Sequence, residues 1–226
     1  MKTINDANET TRRTLHTPTA GLRVRATEEG EEPGHTIEGY AIRFGSPSVP
    51  LYEDESESIR EVIEREAVTQ ELLDRSDIKF TLFHHPHLLL ARSKNGEGTL
   101  SYELREDGVF FSFTAPRTAD GDKALELVRN GVIDGCSFAF TTKYRDKAYV
   151  ERKVTAGTDG RRQTVCHVKR MTGIYDMTIT PDPAYPSTSV ENRDLISMIR
   201  SEQNRERETM EKQIREMREE TVKKIF

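Results

Sequence analysis

The sequence predicts a mainly β fold with helices (α+β), a barrel or sandwich of about seven or more short strands over residues 21–190. Three observations support it. Short runs of alternating apolar and polar residues recur along that stretch, which is the strand period. Asp107-Gly108 sits between two of them, a strong hairpin signal. Only two segments within it carry helical spacing, so the helices must pack on a β framework rather than form one.

Taken in order, residues 1–20 are rich in Thr, Asn and Arg with almost no apolar spacing, and read as a disordered arm. Leu22, Val24 and Ala26 alternate with polar residues and predict a first strand. The acidic stretch 28–34, with its glycines and proline, is a loop. Residues 36–44 predict a second strand closed by Gly45-Ser46-Pro47, and the acidic stretch 52–58 an exposed loop. Val68, Leu72 and Leu73 have helical spacing, so a short helix is expected over 67–75, then a strand over 79–83 ending at a histidine cluster.

Residues 99–104 and 109–114 form the hairpin around Asp107-Gly108. Ala124, Leu125, Leu127 and Val128 predict a helix over 120–130 that stops at Asn130-Gly131. Strands follow at 137–142, 150–155, 163–169 and 174–180, after which Pro181, Pro183 and Pro186 break the pattern. From residue 191 to 226 charge dominates, and Leu195, Met198, Ile199, Met210, Ile214 and Met217 fall near heptad spacing. This predicts a charged helical tail outside the core.

Composition narrows the function classes. The chain has 226 residues and a formal net charge of −5, with acids and bases interleaved, which argues against nucleic acid as the main partner. No apolar run reaches the roughly 18 residues a bilayer crossing needs, and no apolar core follows the N-terminal residues. A soluble, non-exported chain with no membrane partner is expected. Its two cysteines, Cys136 and Cys166, are then reduced thiols.

The chemistry-bearing stretch is Gly135-Cys136-Ser137-Phe138-Ala139-Phe140. A serine hydroxyl is a weak nucleophile unless a base takes its proton, and the base needs an acid to hold its tautomer. The chain offers bases in Phe83-His84-His85-Pro86-His87 and an acid at Asp176, within a strand-like segment where a charge needs a partner. In a continued strand His85 and His87 share a face and His84 points to the other. Cys136 competes as nucleophile, being intrinsically better than serine, but it lies on the opposite strand face from Ser137. A zinc reading would recruit Cys166-His167. Adjacent residues cannot readily ligate one ion together, and no Cys-x-x-Cys is present.

Five blocks in order resemble the prohead (procapsid maturation) serine proteases of tailed bacteriophages. They are Gly39-Tyr40-Ala41-Ile42-Arg43-Phe44; Arg60-Glu61-Val62-Ile63-Glu64-Arg65-Glu66-Ala67; Phe83-His84-His85-Pro86 with Leu90-Ala91-Arg92 and Gly98-Thr99-Leu100; the segment from Val128 through Asn130-Gly131 and Gly135-Cys136-Ser137 to Phe138; and Asp176-Met177-Thr178-Ile179-Thr180-Pro181-Asp182-Pro183-Ala184-Tyr185-Pro186.

The resemblance covers roughly residues 20–193 and implies a serine endopeptidase with His85 as base, Ser137 as nucleophile and Asp176 as third member. Here His84 stands where the family has Asn, Pro86 where it has an acid, Cys136 where Met is frequent, and Asp176 where Glu is commoner. The family is similar in fold to the herpesvirus assembly proteases, which implies a closed antiparallel β-barrel of about seven strands surrounded by helices, with a homodimer as the analogous state.

The resemblance also implies a substrate. It would be the scaffold protein, or the scaffold-like segment of the major capsid protein, cut inside the prohead in the host cytoplasm, and the protease itself. The tail then reads as scaffold-contacting or self-processed. No metal or organic cofactor is expected. Backbone N–H groups near Ser137, or Arg170, would supply the oxyanion donors. The competing reading is a non-catalytic capsid-assembly or scaffold protein, for which a histidine–serine–acid set would have no use.

Overall fold

The computed structural model describes residues 11–17, 20–25, 34–157, 160–181 and 190–225. Fourteen strands in these residues form three sheets. The six-stranded sheet runs in the order β1 (Thr11–Thr17), β11 (Gly135–Thr142), β14 (Gly173–Thr180), β6 (Asp77–Leu82), β7 (His85–Lys94), β8 (Glu97–Gly98). A second sheet runs β2 (Arg23–Val24), β3 (Thr36–Arg43), β10 (Gly108–Thr114), β9 (Ser101–Leu104). A third runs β12 (Val150–Ala156), β13 (Arg162–Val168), β5 (Glu57–Ile63), β4 (Tyr52–Glu53). The chain divides into two units, residues 1–187 and 188–226. The second holds α3 (Val190–Ile225), the helix expected of the charged tail.

The expected closed antiparallel barrel does not form: none of the three sheets closes on itself. Closure requires every strand to pair on both sides around a ring. Instead each sheet ends in a two-residue strand, β8, β2 or β4, too short to carry pairing onward. The pairing is also not all antiparallel, since β14 lies parallel to β6 and β13 parallel to β5.

Alternation along β11 and β14 separates a greasy face from a polar one. Cys136, Phe138 and Phe140 lie on one side, with Met177 and Ile179 of β14 beside them, all buried. From β6 of the same sheet, Phe80 packs against Phe111 and Phe113 of β10, with centroids 4.5 and 4.7 Å apart, so the first two sheets share an aromatic core. Burying one such ring stabilises by roughly 1.5–3 kcal/mol. The opposite face of β11 and β14 presents Ser137, Ala139 and Thr141 beside Asp176, Thr178 and Thr180. A strand with one apolar and one polar face, buried throughout, is where chemistry can be held away from water.

The helices are set by their caps. Thr69 accepts from the Leu72 N–H at 3.1 Å to start α1 (Gln70–Arg75). Thr118 accepts from the Gly121 N–H at 3.2 Å to start α2 (Ala119–Arg129). The hairpin glycine acts through space rather than through a left-handed turn. A Cβ on Gly108 would stand 2.2 Å from the Ile42 carbonyl oxygen of β3.

Candidate active site

Between β6 and β7 the chain reverses over two residues, Phe83 and His84, because Leu82 pairs directly with His85. Both central residues have positive φ, 60° and 56°. That is the demand of a type I′ hairpin, which Asn and Gly meet cheaply and Phe does not. A strained non-glycine backbone of this kind costs of order 1–3 kcal/mol per residue and survives only where neighbours fix it. Here β14 fixes it: the Phe83 N–H donates to the Ile179 carbonyl at 3.2 Å, and the His84 N–H to the Thr178 hydroxyl at 3.0 Å. The Lys123 ammonium of α2 lies 5.7 Å from the Phe83 ring centroid.

The turn aims His84 at Asp176. Nδ1 of His84 lies 2.6 Å from Oδ2 of Asp176, while Oδ1 accepts from the Thr81 hydroxyl at 3.0 Å. Both carboxylate oxygens are therefore engaged. A carboxylate can only accept, so the imidazole proton sits on Nδ1, and Nε2 of the neutral ring is left as an acceptor. That Nε2 is buried and has no hydrogen-bond partner among the described residues.

Ser137 belongs to the same polar face. It pairs across β11–β14 with Thr178, and Ala139 pairs with Asp176. Directly opposed residues point to one side with Cβ atoms roughly 5 Å apart. Thr178, whose hydroxyl donates to the Thr81 carbonyl at 2.8 Å and receives the His84 N–H, thus stands between the serine strand and the histidine turn. Ser137 itself is completely buried, and its Oγ–H donates to the Leu15 carbonyl of β1 at 2.9 Å. No hydrogen bond joins it to an imidazole among the described residues.

Of the expected residues, Ser137 and Asp176 lie on this face. Among the described residues no hydrogen bond joins His85 to Asp176, whose two oxygens go to His84 and Thr81. His85 opens β7, exposed, with its ring 5.5 Å from that of His87, so the two share a strand face and His84 points elsewhere, as the alternation implied. His84 was among the candidate bases, but the resemblance passed over it. The signal that favours it is a two-residue hairpin with no Asn or Gly to ease it.

Cys136 is turned into the apolar side, where burial, reinforced by the charge of Asp176, pushes its thiol far above the usual range. Arg170 is not near Ser137. Its carbonyl accepts from Thr142 at 2.6 Å, five residues and roughly 17 Å further along β11, and its guanidinium lies 6.0 Å from the Tyr149 ring centroid. His167 is engaged by Glu64, Nδ1 to Oε1, at 2.6 Å. Among the described residues no three His, Cys, Asp or Glu side chains group to hold a metal ion, and no helix is long and apolar enough to cross a membrane. The end of the last family-like block, after Pro181, lies outside the described residues.

The model of the family described as the caudovirus prohead serine proteases matches residues 21–207. Among solved structures, the capsid assembly protease gp21 of bacteriophage T4 is similar at 13% identity, over 77% of this chain and 100% of that one, with a TM-score of 0.39. No curated protein matches.

Proposed function

Because the chain belongs to the caudovirus prohead serine protease family, we propose that it cleaves the scaffold protein, or the scaffold-like segment of the major capsid protein, and itself, inside the immature head. Ser137 is the nucleophile, His84 the base and Asp176 the residue that holds it. His84 thus takes the role that the resemblance alone gave to His85. The observation that carries this is the 2.6 Å contact from His84 Nδ1 to Asp176, which leaves Nε2 buried and unpartnered among the described residues.

In this mechanism Nε2 of His84 takes the Ser137 proton as the oxygen attacks the scissile carbonyl. Asp176 keeps the imidazole in the Nδ1–H tautomer and stabilises the imidazolium. The Nε2 proton then passes to the leaving amine, and water, activated by the same nitrogen, releases the acyl-enzyme. Thr81 and Thr178 hold the acid and the turn through the bonds described above.

The test is co-expression with the capsid precursor. The wild-type chain should shorten the precursor, and Ser137→Ala and His84→Ala should leave it intact. Processing that survives Ser137→Ala but stops in Cys136→Ala would make this a cysteine protease and end the proposal.

A further inference from the structure

The nucleophile strand has one free side, and the chain's own N-terminal strand occupies it. β11 is paired on one flank with β14, which carries Asp176 and cannot leave without dismantling the site. On the other flank lies β1, whose only sheet neighbour among the described residues is β11, in register over seven residues from Thr11↔Thr142 to Thr17↔Cys136.

Three features give β1 the stance of an extended peptide on an enzyme. First, its Leu15 carbonyl oxygen is the atom that receives the Ser137 hydroxyl, at 2.9 Å. A substrate must bring its scissile carbonyl carbon up to that serine hydroxyl oxygen. Second, two alternate side chains, Leu15 and Thr17, are buried, and the Thr17 hydroxyl donates to the Ala41 carbonyl of β3 at 2.7 Å. Strand addition to a sheet edge works in this way, with affinity from main-chain bonds and selectivity from every second side chain. Third, with β1 in place Ser137 is completely buried and its hydroxyl is held by the backbone of that strand, so removing β1 frees the hydroxyl.

We infer that the β11 edge is the docking strand for an extended segment of the substrate polypeptide, and that β1 is its exchangeable resident, covering Ser137 until a substrate strand displaces it. This rests on Ser137 being the nucleophile. It adds a selectivity: the residue that takes the place of Leu15 is apolar, and the residue two further on is small. While β1 is seated, Ser137 donates its proton to a carbonyl oxygen rather than to a base, so the covered form is idle.

The test uses the full chain and a fluorescent peptide of residues 11–17. Thr17 and Cys136 are direct cross-strand partners, so Thr17→Cys places two thiols opposite each other, and a mild oxidant that accepts their two electrons and two protons can pin β1. Peptide binding should be at least tenfold weaker in the oxidised form than in the reduced one. It should return with a reductant, and it should weaken when the peptide's leucine is replaced by aspartate. Leu15→Asp, which loosens β1 without a crosslink, should raise binding at least fivefold.

Equal binding in the oxidised and reduced forms, together with no gain in Leu15→Asp, would overturn the inference, as would no binding in any form. Labelling by a serine-directed fluorophosphonate separates the two ideas. Peptide binding that responds to pinning with no label on Ser137 would sink the catalytic reading and leave the docking edge standing. Labelling at equal rates in pinned and free forms would sink the covering strand and leave the nucleophile.

Discussion

Two histidine–carboxylate pairs in this molecule have the same geometry. His84 meets Asp176, and His167 meets Glu64, each through Nδ1 at 2.6 Å and each partly buried. Their surroundings differ. His84 sits on a strained turn tied to β14, its Nε2 buried and unpartnered, one strand away from a buried serine. His167 lies in β13, pairs with Val62 of the parallel strand β5, and meets a glutamate just past the end of that strand; among the described residues no serine hydroxyl hydrogen-bonds it. A histidine held by an acid is therefore not a site in itself. The second ring nitrogen and what it faces decide the matter.

The comparison breaks most sharply at the serine face. Ser137→Ala or His84→Ala should lower processing of the capsid precursor by about 10³-fold or more, because members of such a set act as one unit. His167→Ala should change it less than threefold. A comparable loss in His167→Ala would erase the distinction drawn here. Asp176→Asn keeps the shape but allows the wrong imidazole tautomer, and should cost about 10²–10⁴-fold, read as the cleavage rate on one precursor.

The two faces of β11 differ as sharply as the two histidines. Ser137 meets a carbonyl on the polar side, whereas Cys136 is sunk among phenylalanines with its thiol pushed up by burial. Cys136→Ala should therefore retain processing within a few-fold, and in the folded chain iodoacetamide should not label Cys136 faster as pH rises from 7 to 9. The sign for stability follows. The unfolded thiol ionises near its ordinary value of 9.0 while the folded one stays protonated. The unfolded chain then binds fewer protons, and stability falls as pH rises through that range. Rapid alkylation of native protein at pH 9 would contradict the burial argument.

The smallest effect expected is at Phe83. Asn accepts positive φ more cheaply than Phe, so Phe83→Asn should raise stability by about 1 kcal/mol in thermal unfolding. A loss would show that the ring's contact with Lys123 outweighs the strain.

Much of this architecture could be read from the residues. The strands at β3, β10, β11, β12, β13 and β14, the Asp-Gly hairpin, α2 and the tail helix fall where alternation, turn residues and helical spacing put them. Five strands did not show themselves: β4 and β8, two residues each, are too short to show an alternation, and the other three were hidden for particular physical reasons. β5 hides behind Glu57 and Glu61, buried acids that read as surface, and the hydroxyl of Tyr144 bonds Glu61 inside. β7 opens with His85-Pro86-His87, a loop-like start. β1, Thr11–Thr17, lies in the stretch read as an arm: it is a polar edge strand whose order comes from β11 and not from its own pattern, while residues 1–10 lie outside the described residues.

The barrel expectation failed because strand count says nothing about which strands end a sheet or run parallel. At the proposed site, order and spacing pointed to Ser137 and Asp176, which the structure sets on one polar face of β11 and β14. Which histidine meets Asp176 was not legible, because one residue of turn register reverses which ring faces β14.

The central claim is that His84, held by Asp176, serves Ser137. The most direct measurement is the rate of fluorophosphonate labelling, with the modified residue mapped by tandem mass spectrometry, in wild type, His84→Ala and His85→Ala. The account predicts label on Ser137 in wild type, nearly the same rate in His85→Ala, and a loss of at least about 10²-fold in His84→Ala. A normal rate in His84→Ala with the loss in His85→Ala instead would contradict it and return the base to the neighbouring histidine.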